Sequence, residues 1–182
     1  AGALILTTER EPEVLGDIHT HADFAVYLLG EPYNFSQDQY MSGKNGTQLS
    51  PFLHLHDGDG EVIHQHISGL NLGDFFHSLT MSFNSTCFVL DSGARYCTNE
   101  TSALRMYVNG KANEQFDQYE FKDLDRILIT YGPASEEELW QELASVSDRA
   151  CIQSNLCPER GTPSDEDGCV TGNEQGGCAP VR

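Results

Sequence analysis

One stretch restricts the fold more than any other: Phe52–His66, FLHLHDGDGEVIHQH, in which four of the seven histidines fall as two His-x-His units. Alternate side chains of an extended strand share a face, so His54 and His56 project together, as do His64 and His66. Between them Asp57-Gly58-Asp59-Gly60 is a hairpin turn signal. A loop with an odd number of residues sets His54 opposite His64 and puts all four imidazoles on one face; an even loop splits the pairs. Glycine-containing odd loops with a bulge are common, and one shared face is the expectation. Upstream, Asp17-Ile18-His19-Thr20-His21 repeats the unit.

Neutral imidazole suits both Zn and Cu, so His19, His21, His54, His56, His64 and His66 are the candidate metal ligands. The competing reading is a histidine ladder that packs across strands or titrates as a seam without metal. Asp57, Asp59 and Glu61 also alternate like the opening of a Ca²⁺ loop, but the acid that closes a twelve-residue loop is missing, so the stretch reads as a turn first.

Charge narrows the partners. With 10 basic and 28 acidic residues the net charge is −18, which repels nucleic acid and anionic membrane surfaces. No apolar run approaches the roughly 20 residues that span a bilayer. The start at Ala1 reads as a processed N-terminus. Cys87, Cys97, Cys151, Cys157, Cys169 and Cys178 are even in number and never spaced C-x-x-C, which suits three disulfides better than a zinc knuckle or a redox pair. Four sequons, at Asn34, Asn45, Asn84 and Asn99, are candidate sites for N-linked glycans. Together these features predict a secreted, extracellular or cell-surface glycoprotein.

Ala3-Leu4-Ile5-Leu6-Thr7 is an apolar, β-prone run followed by a charged linker. It is either the first strand of its own sheet or a strand donated to the sheet of a neighbouring copy. Two similar units follow, Phe24–Glu31 and Leu104–Lys111, each hydrophobic-x-hydrophobic-Tyr-x-x-Gly, which read equally as two hairpins of related shape or as a coincidence over eight residues. Asn71 should cap a helix over Leu72–Leu79 with Phe75, Phe76 and Leu79 inward. Met81–Leu90 reads as one strand with Ala94–Cys97 as its partner, so Cys87–Cys97 is the economical bridge. Arg126–Tyr131 is the most strand-like run, and Ser135 opens a helix that should bury Leu139, Trp140, Leu143 and Val146. Beyond Cys151 the chain has few apolar residues, with Cys151–Cys157 and Cys169–Cys178 as the preferred bridges among three connectivities.

The fold class is therefore α+β: a mainly antiparallel sheet of six to eight strands, two short helices on one side and an irregular disulfide-rich tail. Residues 1–16 form the N-terminal strand and linker, 17–150 the β-rich domain, and 151–182 the cysteine-rich tail.

The segments HADFAVYLLG, HLHDGDGEVIHQH with GLNLGDFFHSL, YEFKDLDRILITYG and CPERG give the chain a wider likeness. From His21 to Cys178 it resembles a family of uncharacterised secreted or surface proteins of environmental bacteria and archaea. That resemblance implies a subunit of extracellular glycosylated fibrils. The leading expectation is thus a structural, non-enzymatic protein that binds copies of itself into a homopolymer, assembled head to tail by strand exchange. The alternative is a monomeric secreted Cu- or Zn-binding protein. A metal-dependent hydrolase ranks below both. Asp17-Ile-His19-Thr-His21 resembles the D-x-H-x-H start of amidohydrolase and PHP-type enzymes, yet those barrels are longer than 182 residues and use later ligands.

Overall fold

The structure, a computed structural model, describes residues 17–42, 49–133 and 135–163. The apolar run Ala3–Thr7, the sequon Asn45 and the pair Cys169/Cys178 lie outside them.

Strand β1 (Asp17–Leu28) is the spine of the large sheet. Its first half pairs antiparallel with β4 (Val62–Ile67), and its second half pairs in parallel with β10 (Arg126–Gly132). Outside β4 lies β3 (Leu53–His54), and outside β10 lie β8 (Ala103–Val108) and β9 (Lys111–Ala112). With β2 (Glu31–Pro32) on β1, the sheet has seven strands in the order β3-β4-β1-β10-β8-β9. A second sheet of three strands joins β5 (Ser82–Phe83), β6 (Cys87–Val89) and β7 (Arg95–Cys97). The α+β class holds, with one parallel pair in a sheet otherwise antiparallel.

The two related sequence units are indeed matching hairpins. Leu29-Gly30 and Asn109-Gly110 both carry positive φ at both central residues, as tight hairpin turns require. Each then returns two paired residues, Glu31–Pro32 on β1 and Lys111–Ala112 on β8. Met81–Leu90, expected as one strand, is two. The Asn84 Oδ1 accepts from the Thr86 N–H and hydroxyl and from the Cys87 N–H, and this side-chain turn folds β5 back onto β6. Cys87 faces Cys97 across β6 and β7 and is bridged to it, and Cys151 is bridged to Cys157.

Alternation along β1 gives the sheet two unlike faces. Ala22, Phe24, Val26 and Leu28 point into the apolar core with Ile127, Ile129, Leu104 and Met106. Helix α1 (Leu72–Ser78) covers this face. Asn71 and Asp74 close a reciprocal capping box at its start, which aims Phe75 at Phe24 and packs Phe76 against Phe83 and Phe88. The opposite face carries His21, Asp23 and Tyr27 of β1 and is covered by the C-terminal helices α2 (Glu136–Ser145) and α3 (Ala150–Gln153).

The helices thus lie on both faces of the sheet, not on one side. Side-chain chemistry explains the difference. The face α2 meets is polar, so the helix buries Glu142, burial raises that carboxyl above its usual range, and Trp140 is left 71% exposed. Val146 is buried as expected, and Leu139 and Leu143 are half-buried. The Asp23 carboxylate accepts from the Ser147 hydroxyl (2.5 Å) and from the backbone N–H groups of Arg149 (2.7 Å) and Ala150 (3.0 Å). The Arg126 guanidinium donates to the Val146 and Ser147 carbonyls on the same connection. Buried charge is stable only when paired or hydrogen-bonded, and Asp23 meets that demand while pinning α3 to β1. No helix of the described residues is long and apolar enough to cross a membrane.

Candidate histidine-cluster site

The turn after His56 sets the register. Asp57 and Gly58 both adopt positive φ, and the Asp59 N–H closes the turn on the His56 carbonyl at 3.0 Å. Gly60 is required by its neighbour: a Cβ there would lie 2.4 Å from the Phe35 backbone. The chain re-enters β4 with His64 directly opposite His54, so the odd-loop expectation holds. His64 also stands opposite His21 on β1. One row of three imidazoles therefore crosses β3, β4 and β1.

Ring contacts extend the row into a network that contains all six predicted histidines. His56 and His64 have ring centres 3.9 Å apart, His21 and His64 4.7 Å, His54 and His66 5.0 Å, and His19 and His66 4.9 Å. His54 and His64 stack nearly parallel at 6.1 Å. His21, His54, His56, His64 and His66 are buried, and His19 is exposed at the end of the ladder. Burial, reinforced by the neighbouring imidazoles, pushes His54 down to about 3 and holds His64 well below its ordinary value. Both rings are neutral at physiological pH, the state in which imidazole ligates metals.

Hydrogen bonds fix which nitrogen carries the proton. His54 Nδ1–H donates to the Ser50 carbonyl at 3.0 Å, and His56 Nδ1–H donates to the Asp57 carboxylate at 2.8 Å. His56 Nε2 is then an acceptor, and it takes the proton of His64 Nδ1 at 3.0 Å. His64 Nε2 is left with a lone pair, buried and with no hydrogen-bond partner. On β1, the Ser154 hydroxyl donates to Asp123 at 2.6 Å and so accepts from His21 Nδ1–H at 2.8 Å.

Asp57 belonged to the histidine stretch but entered the sequence reading as a turn residue and as an acid of a Ca²⁺-loop-like pattern, not as a partner of His56; its place directly after His56 was the available signal. Ser154 and Asp123 are far from His21 in the chain and carried no such signal. Arg149 was missed too: it spans the turn acids, pairing Asp59 at 2.8 Å and Glu61 at 3.1 Å. Calcium at this turn would have to displace that guanidinium. Beside His56 and His64 a cavity of about 350 Å³ opens between the turn and the C-terminal segment, lined also by Asp57, Arg149, Gln153 and Thr162.

Among the described residues no group of three or more His, Cys, Asp or Glu side chains stands ready to hold one metal ion. Three sequon asparagines, Asn34, Asn84 and Asn99, are exposed, each folded so that its Oδ1 accepts a backbone N–H two residues on. The two bridges fit an oxidising, extracellular compartment. No family model, curated protein or solved structure matches the chain.

Proposed function

We propose that the protein is a secreted, glycosylated structural subunit that polymerises head to tail into an extracellular filament, each copy donating its segment Ala3–Thr7 to the sheet of the next. The observation that carries this reading is the outer edge of β8. Strand β9 pairs with it only at Tyr107 and Val108; beyond them the Met106 carbonyl accepts from the Asn113 N–H and the Leu104 N–H donates to the Thr98 hydroxyl, so the edge is partly covered. Alongside Leu104–Tyr107 runs an open groove of about 510 Å³, bordered by Phe116 and Asn113. A partly uncovered edge is a template for another strand, and five β-prone residues match a short edge. A head-to-tail contact whose rotation does not close a ring builds an open fibre. The reading requires no catalytic step.

Electron microscopy of the purified full chain tests it. Regular filaments are expected, and deletion of Ala1–Thr8 should give a folded monomer that a synthetic Ala1–Arg10 peptide binds. A deleted chain that still polymerises, or a full chain that stays monodisperse, overturns the proposal.

The histidine network favours a second role, Cu or Zn binding, either within such a subunit or as the work of a secreted monomer. The metal content of the same purified sample separates these outcomes.

A further inference from the structure

We propose that His54 and His64 form a cross-strand chelate for one exchangeable Cu(II) or Zn(II) ion, with Asp57, His56 and the Ser50 carbonyl as the groups that position the two ligands. The inference rests on the metal-binding reading and assigns its ligands, its supporting groups and its openness.

Three observations carry it. The two residues are a directly opposed pair on β3 and β4, with parallel rings whose centres are 6.1 Å apart. Two imidazoles that each place a nitrogen about 2 Å from one ion have ring centres about 5–6 Å apart, so the backbone already sets the required spacing. Parallel rings do not aim their in-plane lone pairs at one point, so binding requires both rings to turn about the soft χ2 torsion of histidine.

The second observation is the protonation pattern. His54 is held through Nδ1 by a backbone carbonyl, and His64 through Nδ1 by the His56 ring, which Asp57 holds in turn. Both ligands therefore present Nε2, and that of His64 is a buried lone pair with no partner, in a residue only 1% exposed. A carboxylate or carbonyl behind a ligating histidine fixes its tautomer and raises its basicity. The chain Asp57–His56–His64 is that support extended by one ring.

The third is access. His64 lines the 350 Å³ cavity, whose wall carries Asp57, Asp59 and Arg149; Arg149 pairs Asp59, and the Asp57 carboxylate beside His56 is the acid left on a cation's route to the ligand. Because no third ligand stands ready among the described residues, the ion keeps positions for water or small molecules and exchanges with solvent. A permanent structural lock would close those positions.

Calorimetric and electron paramagnetic resonance titration of the full chain with Cu(II) decides the matter. One equivalent per chain with two coordinated imidazole nitrogens is expected, and imidazole added to the solution should enter the open position and change the spectrum. His54→Ala and His64→Ala should each abolish this site, whereas His77→Ala, on the exposed side of α1, leaves it intact. Asp57→Asn should weaken affinity by about 10–100-fold without changing the number of nitrogens. Should His64→Ala fail to fold, the ring ¹⁵N spectrum of the unaltered protein with Zn(II) gives the same answer: the Nε2 resonances of His54 and His64 must move together. No stoichiometric binding, retention of the site in folded His54→Ala, or shifts at other histidines overturns the assignment. Filaments scored in the same samples keep the two proposals apart, since metal binding without filaments refutes assembly and filaments without metal refute this site.

Discussion

The two faces of the large sheet are built from the same strands, residue by residue in alternation, yet they are held together by different physics. On one face Phe24, Phe75, Phe76 and Phe88 are buried among aliphatic side chains, and their packing tolerates any pH. On the other, His21, His54, His56, His64, His66, Asp23, Thr130 and Glu142 are buried, and every one of these groups depends on a partner or on staying neutral. The apolar face supplies stability that is robust and chemically silent. The polar face supplies chemistry, and it makes the fold sensitive to protons.

Acid should expose that difference most strongly. A buried histidine with a depressed value stays neutral in the folded state while the unfolded chain takes up a proton near 6.5, so below that pH the unfolded state binds more protons. Stability from this source is complete above pH 6.5 and is lost as pH falls from there toward about 3, where His54 itself titrates. His54 contributes a slope of about 1.4 kcal/mol per pH unit in that window, and the buried His64 acts in the same direction. Urea unfolding of the metal-free chain at pH 7.5, 6 and 5 should show a steep fall. Hydrogen exchange should rise first at β3 and β4. A urea midpoint that stays level from pH 7.5 to 5 would mean that the rings are charged or hydrated in the fold.

The converse break is Phe76→Ala. Phe76 is fully buried and touches Phe35, Phe75, Phe83 and Phe88, so truncation should cost about 3–5 kcal/mol at every pH. Parallel stability-against-pH curves for this variant and the unaltered chain would show that the faces act independently. A loss much below that range would place the weight of the fold on the polar face instead.

Much of this division was legible in the sequence, because local chemistry fixes it. Nine residues separate His54 from His64, an odd count, and the Asp57-Gly58 turn holds the register that puts both on one face. The Asn71 cap, the Leu29-Gly30 and Asn109-Gly110 turns and the Cys87–Cys97 bridge are local in the same sense. What escaped depends on distant partners. The parallel pairing of β1 with β10 joins segments about a hundred residues apart, and Asp23 is understood only once Ser147–Ala150 lies over it. The split at Asn84 was local but hidden, since an asparagine in an alternating run can turn the chain with its side chain as readily as it can sit in a strand.

Trp140 is where the comparison predicts the smallest effect. Apolar periodicity placed it on the buried side of α2, but the sheet face on that side carries Thr130 and Tyr27 beside the single buried aliphatic Leu128 of β10, and Glu142 took the inward position. Since the indole is 71% exposed, Trp140→Ala should change unfolding free energy by less than about 0.5 kcal/mol, although tryptophan is the largest side chain in the molecule. Its fluorescence should already report a solvated ring in the native monomer. A destabilisation of more than about 1 kcal/mol would mean that α2 packs through its apolar residues after all. In that case the polar face would be sealed by hydrophobic contact, and its sensitivity to acid should be correspondingly weaker than the histidine burial alone predicts.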